Sequence, residues 1–198
     1  MDEQALIHAA RKGDVPSFNQ LVLSYQGLAY NVAYRILGNE DAAHDATQDA
    51  FISAFKAMRR FRGGSFKAWV LRIVTNKCYD QLRAKKRRPT TRFEDSELDS
   101  DYLPYFTDPG ESPDEYVERQ ALGQVLQKAI LALPPHQRTV VVLSDVQGLN
   151  YQEIADVLNI SLGTVKSRLS RARSSLRDIL QTNRELLPHQ YRLSDEAA

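Results

Sequence analysis

The chain has 198 residues, 42% of them hydrophobic and 26% charged, which excludes a wholly disordered or fibrous polypeptide and leaves room for one or two small domains. A single cysteine, Cys78, excludes an internal disulfide and a Cys-rich zinc site, and no apolar run approaches the roughly 18 residues that span a bilayer, so no direct membrane insertion is expected. The net charge of +1 hides a polarised chain: residues 1–50 carry −4, residues 51–92 carry +12, residues 93–118 carry −10 and residues 119–198 carry +3, which fits a polyanion binder with an acidic segment.

Met1 to Ala10 contains Asp2 and Glu3 and lacks the basic-then-apolar pattern of a secretion signal, so the expected compartment is the cytoplasm. From Pro16, the residues Phe18, Leu21, Val22, Tyr25, Leu28, Ala29, Val32 and Ile36 recur three and four apart, which predicts a helix ended by Gly38 and Asn39. A second helix is expected from Asp41 to Arg60, broken by Gly63 and Gly64. Ser65 can cap a third, from Phe66 to about Lys86, with Val70, Leu71, Ile73, Val74 and Leu82 inside. Cys78 falls on that buried side and reads as a core cysteine.

The opposite face of this third helix carries chemistry. Arg72, Asn76, Tyr79 and Arg83 stand at offsets of four, three and four and so share one face, and the helix runs into the basic stretch Arg83 to Arg88. Such a stripe suits single-stranded DNA: cations hold the backbone, an aromatic stacks on a base and Asn reads a base edge. A solvated basic helix end is the plainer alternative. The loop Phe61-Arg62-Gly63-Gly64-Ser65-Phe66 has an aromatic at each end. It fits a pocket for a flipped base, although aromatics at helix ends are more often core. Pro89 closes this first domain, taken as residues 1–90.

Residues 91–114 read as an acidic linker, with Pro104, Pro109 and Pro113 among dense like charges. Its Tyr102, Leu103, Tyr105 and Phe106 leave two readings open, a solvated spacer or a segment that docks on a partner. A second domain, residues 115–182, opens with Tyr116, Val117, Leu122, Val125, Leu126, Ile130 and Leu131. A further helix follows Pro134-Pro135 and stops at Gly148. Val140 to Leu143 is β-branched and ambiguous alone, but its flanks favour helix. No stretch alternates convincingly as a strand, so the fold class is all-α, two small helical domains. The tail, residues 183–198, fits either a disordered end or a partner-contacting segment.

The sharpest signal lies in residues 150–177. Asn150 and Glu153 have the spacing of a capping box. Ile154, Val157 and Leu158 line one face of the helix that follows, Asn159-Ile160-Ser161 make a tight turn with Ile160 expected between the helices, and Ser161 caps the next helix. There Val165, Leu169, Ala172 and Leu176 turn inward, while Lys166, Ser167, Arg168, Ser170, Arg171 and Arg173 lie on the other face. Two short helices joined by a tight turn, the second of them basic, form a helix-turn-helix that fits the major groove. Lys and Arg neutralise phosphates, and Arg can also pair two donors with guanine. A charge run alone would favour a merely solvated face. The caps, the turn and the inward alternation together favour DNA binding.

These stretches resemble the bacterial sigma factors of the extracytoplasmic-function (ECF) group, within the sigma-70 family. The likeness is carried by Asp45-Ala-Thr-Gln-Asp-Ala-Phe51, Phe61-Arg-Gly-Gly64 and Phe66-Lys-Ala-Trp-Val-Leu-Arg-Ile-Val-Thr-Asn76. It continues in Leu133-Pro134 through Gln137-Arg138, Gly148 to Ala155, Ser161 to Arg168 and Arg171-Ala-Arg173. The resemblance implies a transcription initiation factor that binds core RNA polymerase through the β′ clamp and the β flap and directs it to promoter DNA. Asp45, Gln48, Asp49 and Phe51 would meet the clamp. Phe61, Arg62, Phe66, Arg72, Asn76, Tyr79 and Arg83 would meet the melted −10 element. Lys166, Ser167, Arg168, Ser170, Arg171 and Arg173 would meet the −35 element. The linker would thread the polymerase channel, and an anti-sigma factor would hold the protein inactive until a stress releases it. His44 departs from the family, standing where an acidic residue is common, and reads most simply as a solvated helix residue.

Two other classes compete. A stand-alone helix-turn-helix regulator would bind a palindrome as a dimer, and the second basic stripe on Arg72 to Arg83 counts against it. An enzyme is disfavoured: there is no phosphate-cradling glycine loop, His8, His44, His136 and His189 are scattered, and paired carboxylates fall mainly in the linker. No catalytic residue, metal ligand, cofactor or small-molecule substrate is expected.

Overall fold

The computed structural model describes residues 2–87 and 113–183. Most of the linker and the C-terminal tail, with the expectations placed on them, lie outside the described residues. Among the described residues all regular structure is helical, in two small domains: α1 (Glu3–Arg11), α2 (Val15–Leu37), α3 (Glu40–Ala57) and α4 (Phe66–Arg87), then α5 (Pro113–Ala132), α6 (Pro135–Val141), α7 (Tyr151–Leu158) and α8 (Leu162–Thr182).

The helix ends follow from local chemistry. Asp14 caps α2 by accepting from Ser17 N at 2.9 Å, and Pro16 sits in the first turn, where a missing N–H costs nothing. Gly38 ends α2 at φ 72°, in the left-handed region that favours glycine. Asn39 then caps α3 through Ala42 N at 2.8 Å. At its far end α3 tightens into a 3₁₀ turn over Met58–Arg60. Ser65 Oγ accepts from Ala68 N at 3.1 Å, as a cap of α4 does. In the second group α6 continues as a π turn over Val142–Val146, so the ambiguous β-branched run is helical and its Val140, Val141, Val142 and Leu143 are buried.

Helix α1 was not legible in the sequence, because nine residues are too few for a periodicity to stand out. Asp2 caps it, and it buries Leu6, Ile7 and Ala10. The Tyr25 hydroxyl of α2 donates to Glu3 Oε2 at 2.8 Å. Burial, with the Glu3 carboxylate beside it, pushes the Tyr25 phenol up to about 12.

Helix α2 is the spine of the first group and packs on α1, α3 and α4. Leu21, Val32, Ile36, Leu71, Val74 and Cys78 are almost completely buried in its core, and burial pushes the Cys78 thiol up to about 12. In the second group α6 packs on α8, and α7 packs on both α8 and α4. Through the α4–α7 and α2–α5 contacts the two hydrophobic cores form one cluster.

Candidate nucleic-acid interface

The helix-turn-helix forms as its residue types require. Asn150 accepts from Gln152 N at 2.9 Å and Glu153 N at 3.0 Å, while Glu153 reaches back to Asn150 N at 2.9 Å, completing the capping box. Asn159 takes the left-handed conformation at φ 52°, which its short polar side chain tolerates, and so turns the chain sharply between α7 and α8. Ser161 caps α8 by accepting from Thr164 N at 3.1 Å. Ile154, Ala155 and Val157 of α7 and Val165, Leu169 and Ala172 of α8 are buried against each other and the rest of the domain. Ile160, expected inside, is half-buried, as are Leu158 and Leu176.

On the other face of α8, Lys166, Ser167, Ser170 and Arg171 are exposed and Arg168 is half-buried. The Ser167 hydroxyl donates to Thr164 O at 3.1 Å within the first turn, so it offers a ligand chiefly its lone pairs. Arg173 is engaged elsewhere. Its Nε and Nη2 donate to Asp145 Oδ2 and Oδ1 at 3.0 and 2.6 Å, a two-pronged ion pair that pins the middle of α8 to the turn before α7. The Asp145 hydrogen bond is the main reason its guanidinium is held even more firmly in the charged form.

This pair sets a measurable expectation. Asp145→Asn frees Arg173 for a phosphate and removes an opposing charge. The slope of log K against log salt for duplex binding should steepen by about 0.9, the worth of one further phosphate contact. Because the pair is exposed, stability should change by less than about 1 kcal/mol. An unchanged salt slope would mean that Arg173 does not reach the DNA backbone.

The second stripe lies on α4. Arg72, Asn76 and Arg83 are exposed and Tyr79 is half-buried, so the four stand on one face as their spacing requires. Arg83 lies 3.7 Å from Asp80 in a solvated pair, an interaction too weak to withhold it from a polyanion. The loop before α4 is built differently from a simple open pocket. Phe61 and Phe66 are 4% and 2% exposed and pack edge-to-face, with ring centroids 5.7 Å apart and Trp69 against both. Large apolar rings gain more from burial than from standing in water. The rings therefore form the floor of the loop, and Arg62, Gly63, Gly64 and Ser65 are its exposed surface.

On α3, Asp45, Gln48 and Asp49 are exposed while Phe51 is buried, 9% accessible. Gln48 and Phe51 line a groove of about 1470 Å³ whose other wall comes from the second domain, through Leu122, Leu126 and Val146. No local pattern marks this groove, because its walls are far apart in the chain. His44 also lines it, is exposed, and its ring lies 4.6 Å from that of Tyr30. No described helix is long and apolar enough to cross a membrane.

Two basic helical faces thus stand on separate small domains, one of them on the second helix of a helix-turn-helix. Residues 21–88 match the family model of sigma-70 region 2, and residues 123–176 match that of sigma-70 region 4. The chain is 40% identical to the ECF RNA polymerase sigma factor SigE of Mycolicibacterium smegmatis over 84% of its length, spanning 62% of that protein. It is 33% identical to the ECF RNA polymerase sigma-E factor of Escherichia coli over 91% of its length and 95% of that protein. Among solved structures it resembles the sigma factor RpoE of Bartonella quintana, in complex with the anti-sigma factor NepR. That likeness has a TM-score of 0.65 at 26% identity and covers 85% of this chain and 99% of RpoE. The chain belongs to the ECF group of sigma-70-family RNA polymerase sigma factors, which are transcription initiation factors.

Proposed function

We propose that the chain binds core RNA polymerase and brings it to promoters by reading two separated DNA elements. In this reading residues 1–90 act as sigma region 2, residues 91–114 as the linker and residues 115–182 as region 4, with residues 183–198 a tail outside both. Asp45, Gln48, Asp49 and Phe51 meet the β′ clamp, and the second domain meets the β flap. Arg62, Arg72, Asn76, Tyr79 and Arg83 hold the unstacked −10 strand over the floor made by Phe61 and Phe66. Lys166, Ser167, Arg168, Ser170 and Arg171 enter the −35 major groove, with Arg173 at its edge. The observation that carries this reading is the coexistence of the capped helix-turn-helix with a second cationic and aromatic stripe on another domain.

The protein catalyses no reaction of its own. It opens DNA by binding separated bases more tightly than paired ones, which shifts the duplex towards the melted state. It works in the cytoplasm, where polymerase and promoters are. The solved relative held by an anti-sigma factor supports a partner of that kind here. Retardation of a promoter fragment tests the reading against a stand-alone regulator. The chain alone should bind weakly and the chain with core polymerase strongly, with thymines near −10 becoming permanganate-reactive. Tight binding to a palindrome by the chain alone would overturn it.

A further inference from the structure

The groove lined by α2, α3 and α5 is long, and its two ends differ in chemistry. Helix α3 runs back along α2: Phe18 meets Phe55 at one end, with ring centroids 5.1 Å apart, and Tyr30 meets His44 at the other, at 4.6 Å. From Phe18 to Arg35, both in the wall, α2 rises about 25 Å at roughly 1.5 Å per residue. Around Phe18 the wall is apolar, and its Val15, Ile52 and Phe55 are exposed to water. Towards Arg35 it turns polar, with Asn31, His44 and Gln48. The volume of about 1470 Å³ exceeds the roughly 300–1,000 Å³ of a compact small-molecule pocket, as an elongated ligand requires. The formal charges in the wall are all of one sign: Arg35, Lys56 and Arg119 line it, and no Asp or Glu does. Arg35 is half-buried, and its Nε donates to Asn31 Oδ1 at 2.8 Å. Among the described residues its two Nη atoms have no acceptor and no carboxylate pairs with it. Asn31 thus steadies the guanidinium and leaves its terminal fork for a planar anion. Burial pulls the Arg35 pKa below the ordinary arginine value, as it does for a cation short of a counter-charge. Gly27 also lies in the wall, in the middle of α2, where glycine weakens a helix. A Cβ there would meet nothing within 4 Å, so the glycine keeps space open in the groove and serves no close approach of helices.

We propose that this groove binds a long-chain fatty acid, with its carboxylate on the Arg35 fork and its acyl tail laid between α2 and α3 towards Phe18 and Phe55. The ligand class follows from the two ends. A neutral amphiphile would leave the half-buried guanidinium without a counter-charge, and a ligand charged at both ends would bury one charge among Phe18, Ile52 and Phe55. A single carboxylate on an extended apolar tail satisfies both, and Leu122 and Leu126 of α5 cover it from the facing wall. Affinity then comes mainly from the tail, at about fourfold for each buried methylene. Gln48 and Phe51, proposed to meet the β′ clamp, line the same groove. On the sigma-factor reading, on which this consequence rests, the fatty acid and the clamp compete for one surface, and a rise in free fatty acid withholds the protein from polymerase.

Calorimetric titration of the full-length protein with palmitate, dodecanoate and hexadecanol, each kept below its aggregation threshold, tests the site. Palmitate should bind saturably, one per protein. Dodecanoate, four methylenes shorter, should bind about two hundredfold more weakly. Hexadecanol, with the same tail and no charge, should bind at least about tenfold more weakly than palmitate. Arg35→Gln should bring palmitate down to the level of hexadecanol and leave hexadecanol itself unchanged, a pattern that loss of the fold would not produce. Gly27→Leu, whose side chain enters open space in the groove, should abolish binding of both while the melting temperature holds or rises. Palmitate should also weaken the parent's binding to core polymerase and leave that of Gly27→Leu unchanged. No saturable binding, equal binding of palmitate and hexadecanol, or parent-like binding by Gly27→Leu would overturn the site. Binding of an acidic amphipathic peptide in place of palmitate would overturn it in favour of a protein partner. Saturable palmitate binding with no loss of polymerase affinity would overturn the competition. If the parent fails to bind polymerase even without palmitate, the sigma-factor reading fails and the competition with it, while the titration alone decides the site.

Discussion

Replacing Lys166 and Arg171 together with alanine is expected to lower transcription from a promoter this protein serves by about a hundredfold. Both side chains are exposed on the face of α8 opposite Val165, Leu169 and Ala172, so their loss leaves the packing of the helix untouched. A side chain that reads a base edge contributes about 1–3 kcal/mol of discrimination, and two at about 1.4 kcal/mol each multiply to that factor. A phosphate contact instead weakens binding to all sequences and lowers the salt slope by about 0.9. The two roles separate when affinity is measured on matched and mismatched −35 sequences across a salt series. Arg177, exposed further along α8, is the control, and its alanine variant should bind nearly as the parent does. Unchanged transcription and an unchanged salt slope in the double variant, with the helix intact by circular dichroism, would remove α8 from the DNA interface.

The second large effect belongs to Arg138, and it is an effect on stability. Its guanidinium is buried among three backbone carbonyls, and burial pulls its pKa below the ordinary arginine value. Arg138→Ala leaves buried carbonyls at the ends of α2 and α5 unpaired, each costing about 1–3 kcal/mol. A loss of about 3 kcal/mol should lower the melting temperature by roughly 10–20 °C for domains of this size. Arg138→Lys should recover little, since an ammonium lacks the planar fork that spans carbonyls on two helices. Thermal melts followed by circular dichroism measure this directly. A variant that melts like the parent yet binds DNA more weakly would make Arg138 a DNA contact instead.

Arg138 also marks where sequence reasoning stopped. The residue stood out as part of the stretch from Leu133-Pro134 to Gln137-Arg138, but nothing local says that its partner is Ile36, 102 positions away. The same holds for Asp145, whose pairing with Arg173 redirects a side chain that spacing alone placed on the DNA face. By contrast, the helix-turn-helix was readable because its determinants lie within about 28 consecutive residues and reinforce one another: cap, box, turn and inward alternation. The stripe on α4 was readable for the same reason, since helical geometry alone brings positions 72, 76, 79 and 83 together. Phe61 and Phe66 show the limit of that logic. Their spacing frames a loop, and whether the rings face out or in depends on Trp69 and Tyr25, with which Phe66 packs at 5.5 and 5.3 Å between centroids. Helix α1 is a further case, held by Leu6, Ile7 and Ala10 packing on a neighbour and not by a pattern long enough to read.

The function proposed for this chain is to give core polymerase its promoter specificity. Run-off transcription with purified core RNA polymerase, with and without the protein, on a pool of genomic promoter fragments measures this. New transcripts should appear only with the protein and begin downstream of a shared two-part motif. An identical transcript set in both reactions, with the protein bound to duplex DNA in the absence of polymerase, would contradict it.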